Sequence, residues 1–303
     1  MRTLLALTFA AALTTSVTTQ EPVDTAMVTK IRSEGFDRSQ VLDTFNQLTN
    51  VIGPRLTNSP AHKRSIAWTQ DALRSWGISH VSSEPWAFGR GWTLERFSVE
   101  MVEPRYMPMI GYPKGWSPST GGVITAAPVW LPNPSAEALE GKAGQLRGAI
   151  VMTTPLQEYF IRADRPPASG DLVSRRPQAR PSLPAADLLA VLKREGVGAT
   201  IEPNIGEHGT VFVTGRDAGA NAVPAIVVAS EHYNLIARLL QQGYPVKLAV
   251  NVQSQFDESD RNTYNVIAEI PGVDPVIGRE VVMAGAHLDS WHSATGATDN
   301  ADG

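Results

Sequence analysis

The sequence predicts an α/β fold, and three observations carry that expectation. A nearly continuous apolar run, Val281-Val282-Met283-Ala284, lies inside "REVVMAGAHLD". That is the pattern of a strand buried on both faces, in the middle of a sheet covered by helices. Short apolar strands and amphipathic helical stretches follow one another between residues 147 and 252, as layered α/β domains require. Two further helical stretches with start and stop signals precede them. At 303 residues the chain exceeds one ordinary domain, so two domains, or one domain with an insertion, are expected.

The elements follow in order. "MRTLLALTFAAALTTSVTTQ" has Arg2, an apolar run from Leu4 to Leu13, then small polar residues. This reads as a signal peptide over 1–20, and its apolar run is too short for a permanent membrane span. Export to a periplasm or the exterior follows from it. Cysteine is absent, which excludes a lipidated cysteine and a disulfide framework. Residues 21–38 are polar and expected to be loosely ordered. "SQVLDTFNQLTNVIGPR" spaces Val41, Phe45 and Leu48 helically and stops at Gly53-Pro54. In "NSPAHKRSIAWTQDALRSWGI" Ser59 suits the N-cap, Pro60 the first turn and Gly77 the stop. Ile66, Leu73 and Trp76 would share its packed face.

"HVSSEPWAFGRGWTLERFSVEMVEP" reads as strands around a turn at Gly89-Arg90-Gly91. Pro, Gly, Trp and Ser then cluster from Met107 to Pro134, as at a domain boundary. Residues 120–255 form a second unit. Its expected strands are Ala149–Thr153, Ala199–Ile201, "VPAIVVAS" and "PVKLAVNVQ"; its helices stop at Gly196 and Gly243. The Arg/Pro-rich "RADRPPASGDLVSRRPQARPS" reads as a solvated loop. After a linker "DESDRN", "TYNVIAEIPG" gives a strand, followed by the apolar strand of the opening observation. Net charge is -4 and spread out, so no phosphate-binding surface for nucleic acid is indicated.

The chemistry concentrates in "GAHLDSWHSATGATDNADG", residues 285–303. His287 and Asp289 follow the apolar strand, where open α/β sheets place ligands. Two apart in an extended segment, they face one side. A neutral imidazole is a good zinc ligand, and a neighbouring carboxylate can orient it. Asp299, in the glycine-bounded "GATDNADG", can swing back and bridge two metal ions. His-x-Asp by itself is a weak signal, since a lone histidine at a strand end is commonly a hydrogen-bonded core residue. His62 on a helix, His80 and His208 in loops, and His232 at a helix start read as structural or solvated. His292 reads as part of the site's wall. Ser290 and His292 lack the Gly-x-Ser-x-Gly elbow of a serine hydrolase, and the helical zincin motif is absent.

The ordered set "NVIAEIPG", apolar strand, "GAHLDSW", "GATDNADG" resembles the di-zinc exopeptidases that include carboxypeptidase Q and the bacterial zinc aminopeptidases. "IGPRLTNSPAHKRSIAWTQDALRSWGI" and "EPWAFGRGW" extend the resemblance, and residues 120–255 resemble a protease-associated domain. The resemblance implies an α/β/α sandwich with a mixed sheet, interrupted by that β-rich α+β insert. Residues 21–119 would form the N-terminal part of the peptidase domain and 256–303 the start of its core. It further implies that His287 binds one zinc, that Asp299 bridges two, and that Asp289 holds His287 from behind. A non-proline cis peptide is implied at Asp299-Asn300. Substrates would be peptides, cleaved from one terminus by a zinc-activated water. Relatives take a Glu-Glu pair, another acidic residue and a histidine from further along the chain. The sequence is therefore expected to be a shortened form, its centre incomplete and its activity lost. The rival reading is a non-catalytic binding protein that works through the protease-associated domain.

Overall fold

The computed structural model describes residues 23–158 and 183–303. The signal-like segment and the Arg/Pro-rich stretch lie outside the described residues. The chain divides into two compact units after Thr44. In the first, α1 (Thr25–Asp37) occupies the stretch expected to be loose. The Asp24 side chain accepts from the Met27 amide at 2.9 Å, and Arg38 Nε donates to Glu34 at 2.8 Å. Cap and ion pair support the helix although it buries no residue.

The division falls within α2 (Val41–Asn46), and the second unit contains all that follows. There α2 runs into a π-helical turn, Gln47–Ile52, which Gly53 ends at φ +78°. α3 (Pro60–Ser75) follows its sequence signals: the Ser59 side chain caps the His62 amide and Pro60 opens the first turn. It buries His62, Ser65 and Ile66, whereas Trp76, expected on the packed face, is half-exposed.

β1 (His80–Ala87) and β2 (Gly91–Glu103) are not partners across the Gly89–Gly91 turn. β1 pairs antiparallel with β11 (Asn262–Glu269), and β2 pairs antiparallel with β10 (Lys247–Asp257). His80, expected in a loop, opens β1 opposite Glu269. With β3 (Met107–Pro108) and β5 (Ile124–Ala126) the larger pair forms a sheet ordered β3-β2-β10-β5. A mixed sheet is ordered β4-β9-β8-β7-β6, from β4 (Gly111–Pro113), β9 (Ala225–Val228), β8 (Ala199–Pro203), β7 (Ile150–Met152) and β6 (Pro128–Trp130). β6 to β9 are mutually parallel, and β4 is antiparallel to β9. Both sheets extend across residue 120, since β2, β3 and β4 lie before it.

β7 shows why a strand can be apolar throughout. Ile150 and Met152 enter the main core with Val99, Leu248, Val250 and Ile226, against Tyr233 and Ile236 of α6 (Ser230–Gln241). Val151 points into a second core with Leu139 of α4 (Ala136–Glu140) and Leu192 of α5 (Ala185–Arg194). At roughly 25 cal/mol per Å² of apolar surface, such two-sided burial is the main force holding the layers together.

The apolar run 281–284 behaves differently. It is not a strand: residues 280–290 carry no regular structure, and Val281, Val282 and Met283 are 86, 99 and 89% exposed. The expected buried strand is therefore corrected. A strand forms when a neighbour takes its amides and a layer covers its faces, and no described strand pairs with this run.

A third, smaller core of Leu56, Trp92 and Trp116, with Trp291 packed against it, lies beside the segment that carries His287 and Asp289.

Candidate metal centre

His287, Asp289 and Asp299 come together around a cavity of about 120 Å³, lined also by Leu56, Thr57, Ser290 and Trp291. His287 Nδ1 lies 2.9 Å from Asp289 Oδ1. Its Nε2 lies 3.0 Å from Asp299 Oδ1. Both flanking groups are carboxylates, which only accept when ionised, so each ring nitrogen faces an acceptor; a cation at Nε2 would require the imidazole proton to sit on Nδ1, where Asp289 can take it. Asp289 Oδ2 accepts from the Thr57 hydroxyl. Burial pushes the Asp289 carboxyl up, but the bonds from Thr57 and His287 and the nearby histidines outweigh it and hold the carboxyl below its ordinary value.

The loop that carries these groups is shaped by a residue to which the sequence pattern assigned no role. Arg55 is fully buried. Its Nε donates to the Leu288 carbonyl at 2.9 Å. Nη1 donates to Leu48, Gly53 and Thr295 carbonyls at 2.8, 3.0 and 3.1 Å, and Nη2 to Gly296 at 3.0 Å. Arg55 and Ser290 also bond each other: Ser290 N donates to Arg55 O at 3.0 Å, and Arg55 N to Ser290 Oγ at 2.9 Å. Burial lowers the guanidinium pKa and the Asp289 charge offsets part of that; an arginine stays protonated regardless. Gly296 sits at φ +69°, and a Cβ there would lie 2.4 Å from Ser290 Cβ and 3.0 Å from Arg55 Nη2.

The remaining histidines divide as their surroundings dictate. His62 is buried and accepts from the Asn58 amide at 3.1 Å, and burial pushes its pKa down against the pull of Asp289. His292 donates from Nε2 to the Pro113 carbonyl at 2.7 Å and packs edge-on to Trp92, centroids 4.9 Å apart. It fastens the loop to β4 and is not among the residues lining the cavity. His232 accepts from the Ile110 amide, and His208 is an exposed loop residue at φ +59°. The Asp299-Asn300 peptide is cis.

The donors suit a zinc-type ion. Nitrogen and oxygen ligands each about 2.0–2.2 Å from one tetrahedral ion are roughly 3.3 Å apart, close to the 3.0 Å between His287 Nε2 and Asp299 Oδ1. Among the described residues no group of three or more His, Cys, Asp or Glu side chains forms a metal-binding cluster. Among the described residues, His287 and Asp299 are therefore the two side chains that could share an ion, with Asp289 behind His287.

Comparison with known proteins shows what the chain is similar to. The pattern of Peptidase family M28 matches residues 265–303, the segment holding all three groups. The chain is related to peptidase family M28. Human carboxypeptidase Q is 24% identical over 282 residues, 93% of this chain and 54% of that protein. Leucine aminopeptidase 2 of Trichophyton equinum is 34% identical over 109 residues, 36% of this chain and 20% of its own length. The chain thus spans about half the length of the carboxypeptidase Q relatives it matches. Among solved structures, a peptidase M28 precursor from Shewanella amazonensis superposes with a TM-score of 0.59, at 24% identity, covering 91% of this chain and 60% of that one. The fold is therefore the mixed α/β fold of M28 peptidases, with mixed sheets, as the sequence predicted.

Proposed function

We propose that His287 and Asp299 are zinc ligands of a peptide-hydrolysing exopeptidase centre, with Asp289 holding His287 in its ligating tautomer. The observation that carries this reading is the line Asp289 Oδ1, His287 Nδ1, His287 Nε2, Asp299 Oδ1, with links of 2.9 and 3.0 Å across one ring. Bound zinc supplies a water of lowered pKa and polarises a carbonyl. This chain's own residues hold and aim the donors: Asp289 keeps the proton on Nδ1, and Asp299 projects from its loop toward the Nε2 lone pair. Leu56 and Trp291 give the cavity an apolar wall on which a peptide side chain can rest.

The second zinc, export, and an accessory protease-associated domain over 120–255 belong to the same proposal. Its supports are the sequence resemblance, the signal-like pattern of residues 1–20, and the printed names of the relatives. No helix among the described residues is long and apolar enough to cross a membrane. With two donors in place, the 303-residue chain binds zinc weakly and turns over no peptide. Zinc titration against a chromogenic chelator tests this. Binding that His287→Ala and Asp299→Ala each abolish is the expected result. Binding indifferent to both substitutions refutes the ligand assignment. Two tightly bound zincs with peptide turnover refute the inactivity.

A further inference from the structure

We propose that Thr57 is a positioning residue of this centre, acting on His287 through Asp289; the inference rests on the zinc-ligand reading above. Asp289 has two carboxylate oxygens with two different tasks. Oδ1 takes the Nδ1 proton of His287 at 2.9 Å, and Oδ2 takes the Thr57 hydroxyl proton. An ionised carboxylate cannot donate, so the direction of both bonds is fixed. The carboxylate plane is thereby pinned at both ends. The Oδ2 bond removes the rotational freedom that the broad χ2 torsion of aspartate otherwise leaves.

Thr57 is well placed to act as that pin. Leu56, beside it, is buried in the tryptophan cluster. Arg55, two residues before, is tied to the 288–296 loop by side chain and backbone. Ser59, two residues after, caps α3. Arg55 and Thr57 both reach the ligand-bearing loop while Leu56 between them anchors the segment in the core. Threonine is β-branched, so its χ1 is restricted. The result is a relay of orientation from the frame of the second unit to a metal-facing lone pair: Thr57 Oγ1, Asp289, His287 Nδ1, His287 Nε2. Without the hydroxyl, Oδ2 loses its partner, the carboxylate turns, and Asp289 no longer holds the proton on Nδ1 against the Asp299 carboxylate 3.0 Å from Nε2. An imidazole protonated on Nε2 has no lone pair for a cation there.

The test uses Thr57→Val, which keeps the shape and removes the hydroxyl, and Thr57→Ser, which keeps the hydroxyl. Long-range ¹H–¹⁵N spectra of the metal-free 303-residue chain carrying Asp299→Ala, which removes the competing carboxylate 3.0 Å from Nε2, report the His287 tautomer directly at a pH where the imidazole is neutral. In that background the native Thr57 and Thr57→Ser are expected to show the Nδ1–H form, and Thr57→Val a mixture of the two. Zinc affinity by chelator competition is expected to fall about tenfold in Thr57→Val, the lower end of the range for partners behind a ligand, and to recover in Thr57→Ser. A merely structural threonine would shift the melting midpoint without moving the tautomer. Should Thr57→Val fold poorly, Thr57→Ala gives the same readout. An Nδ1–H tautomer and unchanged zinc affinity in the hydroxyl-free variants overturn the proposal while leaving the zinc ligands standing. Absence of zinc binding in wild type, with the tautomer still dependent on Thr57, overturns the zinc reading and leaves the positioning intact.

Discussion

Replacing Arg55 by alanine should cost about 3 kcal/mol of folding stability, working from what the guanidinium bonds. Five carbonyl oxygens lose their donor: Leu48, Gly53, Leu288, Thr295 and Gly296. Leu48, Gly53 and Gly296 are buried residues, whereas Leu288 and Thr295 are within reach of water. A buried acceptor left unpaired costs about 1–3 kcal/mol, and relief of the buried charge returns part of the sum. The remainder is a large share of the roughly 5–15 kcal/mol that holds a typical protein folded. Urea denaturation followed by tryptophan fluorescence measures it, as a lower midpoint with an unchanged slope. Amide exchange adds a local reading, because the Ser290 amide donates to the Arg55 carbonyl. Its protection should fall further than that of β10, which Arg55 does not bond. Arg55→Lys should recover part of the loss, since an ammonium offers three donors from a compact head and cannot span the fork. A cost below about 1 kcal/mol for Arg55→Ala, within the range of an ordinary surface substitution, would refute the view that this side chain shapes the loop.

Three other outcomes are expected. Gly296→Ala should destabilise by roughly 2–4 kcal/mol in the same assay, since φ is +69° and the new Cβ meets Ser290 at 2.4 Å. Arg90 forks onto Asp217 at 2.8 and 2.6 Å, and this bond, outweighing burial, holds the Asp217 carboxyl below its ordinary value. The stabilisation is complete above the unfolded carboxylate pKa near about 4 and is lost as pH falls through the lower folded value. The stability gap between wild type and Asp217→Asn, about 1–2 kcal/mol at neutral pH, should therefore close in acid; a gap that persists to pH 2 counts against the pairing. Val282→Lys should reduce self-association in light scattering without moving the melting midpoint, because Val282 is 99% exposed between two apolar neighbours.

Local signals were legible in the sequence and non-local ones were not. α3 begins and ends where Ser59, Pro60 and Gly77 say, because caps and breakers act within one turn. β7 and the run 281–284 look alike as strings, yet only β7 has β6 and β8 beside it and a core on each face. An apolar run states a need for burial and not whether partners are present to meet it. The turn at Gly89–Gly91 was readable, but adjacency in sequence misplaced its flanks. β1 and β2 find partners at β11 and β10, pairings that rest on register between segments some 150–190 residues apart. α1, read as loose from its polarity, is held by an Asp24 cap and an i,i+4 pair, which are weak individually and easily passed over.

The proposed metal site divides along the same line, and the division bears on how it would work. The groups proposed to hold the metal, His287 and Asp299, and Asp289 behind them fall within thirteen consecutive residues and were singled out from spacing and resemblance. What aims them lies more than 230 residues earlier: Arg55 on the backbone and Thr57 on the carboxylate. An arginine between Pro54 and Leu56 carries no local mark of burial, and a threonine before a turn reads as a turn residue. Spacing can say which side chains are available to a metal, but not which lone pair faces it. That is decided by an imidazole tautomer, and the tautomer by a carboxylate whose other oxygen is held from a distant segment. Gly296 is where the two halves of the arrangement touch. Its carbonyl receives Arg55, its missing Cβ makes room for Ser290, and the chain then turns to present Asp299. A substitution there perturbs the clamp and the ligand loop together. Gly296→Ala should therefore weaken zinc binding as well as folding, whereas loss of the Thr57 hydroxyl should weaken zinc binding with little effect on the fold.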